Sequence, residues 1–227
     1  MKISKRLKEA KSKVDPKKVY TIDEALVLMK ETSKVKFDAS VEVHAKLGID
    51  PKQSDQLVRA MVGLPHGSGK KVRIAAFVGD EHVTEATKAG ADLVGNKDLI
   101  EEIKKTGKCD FDVAIATPDM MRDLAAIARI LGQKGLMPNP KTGTITTKVT
   151  QTITELKQGK ISFKNDSFGN IHVIIGKVSF TSDQLKQNFE AFMAALKAAK
   201  PEAKLKANYL QAVYLTTSMG PSVKVSL

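Results

Sequence analysis

Residues 40–48 read SVEVHAKLG and residues 72–78 read VRIAAFV, and the contrast between these two stretches decides the fold. In the first, Val41, Val43, Ala45 and Leu47 share one side and Glu42, His44 and Lys46 the other. That is the period-two pattern of a strand buried on one face and wet on the other. The second stretch is nearly continuously apolar, as is FDVAIA at 111–116. Runs of that kind are expected of parallel strands covered on both faces. A chain that uses both patterns is expected to hold two kinds of sheet.

Around the alternating stretch, Thr21 and Glu24 stand at capping-box spacing and predict a helix over 22–34, with Ile22, Ala25, Leu26 and Met29 on one side. A second alternating strand is expected at 58–64. The same pattern returns near the end of the chain. There 161–164 and 171–175 flank NDSFGN (165–170), which reads as a hairpin. An amphipathic helix is expected over 183–200, with Leu185, Phe189, Phe192, Met193 and Leu196 on one face, then a last strand over 209–218.

Around the continuous stretch, helices are expected at 81–89 and 98–105, the latter stopped by Gly107, with a short strand at 92–95 between them. Thr117-Pro118 reads as a cap and first helical position opening a helix to 130. A Gly/Pro-rich loop at 132–143, a strand at 144–147 and a helix at 151–158 complete the block. Strand alternating with helix implies right-handed crossovers. The predicted architecture is therefore an α+β discontinuous domain, residues 1–67 plus 160–227, into which a three-layer α/β, Rossmann-like domain, 68–159, is inserted. A two-stranded hinge is expected where they join.

Charge divides the chain in the same place. The 227 residues carry 37 Lys/Arg against 25 Asp/Glu, a formal +12. Residues 68–159 hold 14 of the bases and 12 of the acids, so nearly all the excess lies in the flanks. Such a balance calls for a polyanion. Only five of the bases are arginine, and lysine suits phosphate better than the edges of guanine. Aromatic content of 5% is thin for a single-strand stacking platform, which favours a folded RNA read by shape. The lone Cys109 excludes an internal disulfide and is expected in a reducing compartment such as the cytoplasm. No run is long enough to span a membrane and the N-terminus lacks an apolar signal core, so no membrane partner is expected.

Several candidate sites fail on spacing. Gly67-Ser-Gly-Lys-Lys71 suggests a phosphate loop, but five residues separate Gly63 from Gly69 where four are needed, and Lys71 replaces the hydroxyl residue. Gly132-Gln-Lys-Gly135 has the form of a KH backbone clamp, but Met-Pro-Asn-Pro follows where a helix should. The four histidines show no metal-ligand spacing. Asp110 and Asp112 beside Cys109 would raise its pKa instead of activating it. No catalytic residue, metal or cofactor is therefore expected. Two classes remain as rivals to an RNA-binding structural protein: a phosphate- or nucleotide-handling enzyme on the α/β block, and an RNA chaperone outside the ribosome. The basic run over 1–18 fits a nucleic-acid arm or a solvated helix face, and the more specific binding candidates are the polar strand face Glu42-His44-Lys46 near Lys36-Phe37 and the hydroxyl-rich 216–220.

These blocks carry a resemblance. YTIDEA (20–25), KFD (36–38), VEVHAKLGID (41–50), LPHG (64–67), ATPDM (116–120), GLMPNPK (135–141), ND (165–166), IGK (175–177) and TSMG (217–220) occur in an order that resembles the L-one family of large-subunit ribosomal proteins, bacterial type. The resemblance implies an inserted two-domain fold on the mobile stalk, present as a monomer within the ribosome. Its partners would be large-subunit (23S) ribosomal RNA, tRNA leaving the exit site, and the messenger of its own operon. It implies RNA contacts at Lys36, Phe37, Glu42, Lys46, Lys164, Asp166, His172, Thr217, Ser218, Met219 and Gly220. Gln133 stands where the family is expected to carry proline. A cytoplasmic ribosome is expected, with an organellar one as the alternative.

Overall fold

The computed structural model describes residues 4–202 and 208–226. In chain order the elements are α1 (Lys5–Ser12), α2 (Ile22–Thr32), β1 (Ser40–Leu47), β2 (Arg59–Gly63), β3 (Ile74–Phe77), α3 (Asp80–Lys88), β4 (Leu93–Gly95), α4 (Lys97–Thr106), β5 (Val113–Ala116), α5 (Met121–Leu124), α6 (Ala128–Gln133), α7 (Val149–Lys157), β6 (Lys160–Lys164), β7 (Asn170–Lys177), α8 (Ser182–Ala198), β8 (Leu210–Thr217) and β9 (Val223–Val225). The architecture is mixed α/β with three separate sheets. The chain divides into two compact units, Met1–Gly69 with Ile161–Leu227, and Lys70–Lys160.

In the unit formed by both chain ends, four antiparallel strands lie in the order β7-β1-β8-β9. Val41, Val43, Ala45 and Leu47 are buried in one core with Ala25, Leu26 and Met29 of α2 and Leu185, Phe189, Phe192 and Leu196 of α8. Both helices begin in complete capping boxes, Thr21 with Glu24 and Thr181 with Gln184. Each cap is worth about 0.5–2 kcal/mol. The alternate residues of β1 stay half-buried, so this sheet keeps one polar face open. β2 pairs with β6 in a small second sheet, and Phe163 of β6 meets Phe192 of α8 edge to face at 5.4 Å. The buried Asn188 carboxamide accepts the His66 N–H and donates to the Gly67 and Ile175 carbonyls, which pins residues 66–67 to α8.

The other unit carries a parallel sheet in the order β4-β3-β5. All four residues of β3 are buried, as the continuous apolar run requires. Its core joins Phe77, Ile100, Ile103, Phe111, Leu124, Ile127 and Leu131. Helix α4 ends at Gly107, whose φ of 66° is the left-handed cap geometry that glycine adopts without strain.

Four local expectations are corrected. The two strands around 165–170 are not a hairpin ladder: β6 joins β2 and β7 joins β1, with only an Asn165–Ile171 bridge between them. A tight turn fixes the local reversal but not the sheet each strand enters. The helix expected from Thr117 begins at Met121 without a side-chain cap, and a 3-10 turn at Ala125–Ile127 interrupts it. Thr117 still donates its N–H to the Phe77 carbonyl at 3.1 Å, so the strand holds it. Residues 144–147 form a single parallel bridge, Ala116 to Ile145, not a strand. The last strand ends at Thr217, and β9 follows as an additional edge strand.

Candidate nucleic-acid interface

Strand register arranges the open face in rows. Glu42 lies between Ile174 and Thr216, His44 between His172 and Tyr214, and Lys46 between Asn170 and Ala212, while Lys224 of β9 extends the middle row. Three of the expected contact residues, Glu42, Lys46 and His172, thus share one face.

The middle row is linked by side chains. The Nδ1 atoms of His44 and His172 lie 2.6 Å apart, so one ring donates and the other accepts. Their outer nitrogens face carboxylates, His44 toward Glu42 at 3.6 Å and His172 toward Asp166 at 3.3 Å. Burial, and then the neighbouring His172, push His44 below its ordinary value, against the pull of Glu42. Asp166 organises the turn into β7 by accepting N–H groups from Phe168 at 2.8 Å and Asn170 at 2.7 Å, and the Asn170 amide at 3.1 Å. Burial opposes its ionisation, but these donors outweigh burial and hold the carboxyl down to about 2. Among the described residues no group of three or more His, Cys, Asp or Glu is arranged to hold a metal ion.

At the end where β1 begins, the chain's two ends are joined directly. Ser218 donates its N–H to the Ser40 carbonyl at 3.0 Å, and Ser40 donates its N–H to the Ser218 hydroxyl at 3.2 Å. Lys36 and Phe37 precede Ser40, and the Phe37 ring is 55% exposed. Residues 217–220 form a turn closed by the Gly220 N–H on the Thr217 carbonyl at 2.8 Å. Its third residue, Met219, has φ of 62°, the only positive φ on a non-glycine among the described residues. A left-handed non-glycine costs about 1–2 kcal/mol. The Met219 side chain is 71% exposed.

Beneath this turn Thr217 is 2% exposed, and its hydroxyl is buried with no hydrogen-bond partner. Gly220 is required here, because a Cβ would collide with that hydroxyl. Leaving such a group unpaired costs about 1–3 kcal/mol. Helix α1 reaches the same turn through Arg6, whose guanidinium donates to the Met219 carbonyl at 3.5 Å. Lys34 holds α1 against α2 through Glu9 at 2.6 Å.

The expected residues therefore fall into two adjoining groups, the face with Glu42, Lys46, His172 and Asp166, and the end with Lys36, Phe37, Thr217, Ser218, Met219 and Gly220. Lys164 stands apart, exposed on β6 in the small sheet. Arg6, Ser40 and Tyr214 also belong to this surface and were not among the expected contacts. Arg6 lay within the basic run noted in the sequence, whose residues 1–3 are outside the described residues. Elsewhere, Lys70 of the glycine-rich stretch is paired with Asp112 at 2.7 Å, and Lys134 of the GQKG stretch donates to the Gly107 carbonyl at 3.0 Å.

A family model described as the Ribosomal protein L1p/L10e family matches residues 29–221. The chain is 51% identical to the large ribosomal subunit protein uL1 of Thermus thermophilus, over 99% of this chain and 98% of that one. It is 49% identical to the protein of the same name from Mesoplasma florum, over 100% and 99% of the two chains, and 51% identical to that from Chloroflexus aggregans, over 100% and 96%. Matches of this length take in the open sheet face and the strained turn alike, and the chain belongs to the ribosomal protein L1p/L10e family.

Proposed function

We propose that this chain is a non-enzymatic structural constituent of the large subunit of a cytoplasmic ribosome. In this reading it binds 23S ribosomal RNA through the discontinuous domain, residues 1–67 plus 160–227. The observation that carries the reading is the 217–220 turn at the end of the open sheet face, where Met219 is held in a left-handed conformation with its side chain exposed to solvent. Backbone strain at an exposed side chain is a cost without structural return, and a ligand that meets that side chain explains it. A ribose 2′-hydroxyl, donor and acceptor at once, is suited to the part-buried Ser218 hydroxyl beside it. Lys36 and Arg6 supply phosphate contacts beside the turn and Lys46 one toward the other end of the face, while Phe37 offers an exposed ring for a base or ribose.

The remaining parts of the proposal follow from the family. The inserted domain, 68–159, helps the stalk reach deacylated tRNA and release it from the exit site. The same RNA-binding face, offered a mimic of the ribosomal site in its own messenger, represses translation of that messenger. Ser218→Ala or Met219→Ala is expected to weaken binding to 23S ribosomal RNA by about 1–3 kcal/mol, with the melting temperature maintained in Met219→Ala and somewhat lowered in Ser218→Ala, where the Ser40 N–H loses its acceptor. Unchanged affinity in both variants removes the turn from the interface.

A further inference from the structure

We infer that the cavity beside Lys46, at the opposite end of the sheet face from the strained turn, receives one unpaired base of the bound RNA, with the Phe168 ring as its stacking partner. The inference rests on the RNA-binding reading above and adds a contact which that reading does not contain. The cavity has a volume of about 290 Å³ and is lined by residues 46–50, Gln56 and Gln211. Small-molecule sites begin at about 300 Å³, so this one suits a single base and not a stack.

Three features show that the cavity is built. Lys46 faces Ala212 while Leu47 faces Leu210, which leaves Gln211 as the extra residue of a β-bulge. Bulges re-aim side chains, and this one brings Gln211 to the cavity wall. Gln56, buried at 5% exposure, is fixed from both ends: its carbonyl accepts the Asp50 N–H at 2.8 Å and its amide donates to the Gln53 side chain at 2.5 Å. The turn before β7 is clamped to the rim by Lys46, which donates to the Phe168 carbonyl at 2.5 Å, and by the Leu47 N–H on the Gly169 carbonyl at 2.9 Å. Phe168 does not line the cavity itself, but its turn borders the wall where Gly169 packs against Ile49, and its ring is 74% exposed.

The chemistry of the wall selects a base over a phosphate. Gln211 offers both a donor and an acceptor, and Asp50, which accepts the Lys52 N–H through Oδ1 at 3.1 Å, retains Oδ2 as an acceptor. A phosphate presents acceptors alone and is repelled by Asp50, and the Lys46 ammonium that would draw it is engaged with the Phe168 carbonyl, whereas a base edge presents donors and acceptors together.

The test is to bind the wild-type chain, Phe168→Ala, Gln211→Ala and Met219→Ala to deproteinised 23S ribosomal RNA across a salt series. Base-specific chemical modification of the bound RNA is mapped in parallel. Phe168→Ala is expected to bind about tenfold more weakly, in the range of a lost base stack, and Gln211→Ala a few-fold more weakly. The log–log salt slope should be unchanged, because no phosphate contact is lost, and one unpaired base shielded by the wild type should become reactive. Wild-type affinity in both variants alongside a weakened Met219→Ala overturns the pocket and leaves the interface standing. A salt slope reduced by about 1 with no change in base reactivity also overturns it, and marks a phosphate contact instead. A wild-type chain that does not bind this RNA overturns the interface and the pocket together. If Phe168→Ala fails to fold, Phe168→Leu keeps the apolar bulk, removes the stack and decides the same question.

Discussion

The two kinds of sheet in this protein treat their faces in opposite ways. Along β1 half-buried and buried residues alternate over the whole strand, whereas all four residues of β3 are buried. The unit containing β1 holds 22 Lys/Arg against 13 Asp/Glu, and the unit containing β3 holds 15 against 12. A sheet buried throughout offers a partner only its loops. One that keeps a mostly polar face open, next to a strained turn and excess lysine, has a surface to offer. The proposal of RNA recognition by one unit, with a separate task for the other, rests on that difference.

The largest expected effect follows from that division. A chain in which residues 70–160 are replaced by a short flexible linker should retain most of the affinity for 23S ribosomal RNA, and the 70–160 fragment alone should show almost none. Filter binding of the two pieces measures this, and loss of affinity in the linked unit breaks the comparison. Next in size is Met219→Gly, which should lose RNA affinity with the exposed side chain while gaining up to about 1–2 kcal/mol of folding stability from the relieved left-handed residue. Thr217→Val removes the buried, unpartnered hydroxyl at nearly constant shape, so the melting temperature should stay level or rise while RNA affinity is maintained. A drop in stability in either variant would show that the turn serves the fold.

The smallest effect concerns pH. Because His44 is held below its ordinary 6.5, the unfolded chain takes up a proton there before the folded chain does. This stability is complete above pH 6.5 and declines as pH falls through the folded value. Urea midpoints between pH 7 and 5 should fall less steeply for His44→Asn than for the wild type. Asp166 acts in a separate window: held down to about 2 from 3.8, it contributes stability above its ordinary value and loses it as pH falls toward 2.

Much of this was legible in residues 40–48 and 72–78, because burial on one face or on both is written directly in hydrophobic periodicity. The polar face of β1 was legible for the same reason, whereas 216–220 stood out by its hydroxyls and glycine and its turn geometry was not foreseen. What escaped is long-range. The His44–His172 contact joins residues 128 apart, and Arg6 meets Met219 across 213. Such pairs depend on strand register and helix docking, which no local window contains. The misread hairpin around 165–170 has the same origin: Asp166 and Gly169 announce the turn, but the partners of β6 and β7 are chosen by distant strands. The bulge at Gln211 likewise exists only in the pairing of β8 with β1.

The central claim is that one open sheet face and the turn beside it hold the RNA. Backbone hydrogen exchange of the whole chain, measured free and bound to 23S ribosomal RNA, addresses it directly. The account predicts added protection at 36–46, 166–172 and 217–220, with β3, β4 and β5 unchanged. Protection confined to 70–160, with the 217–220 turn exchanging as in the free chain, would contradict it.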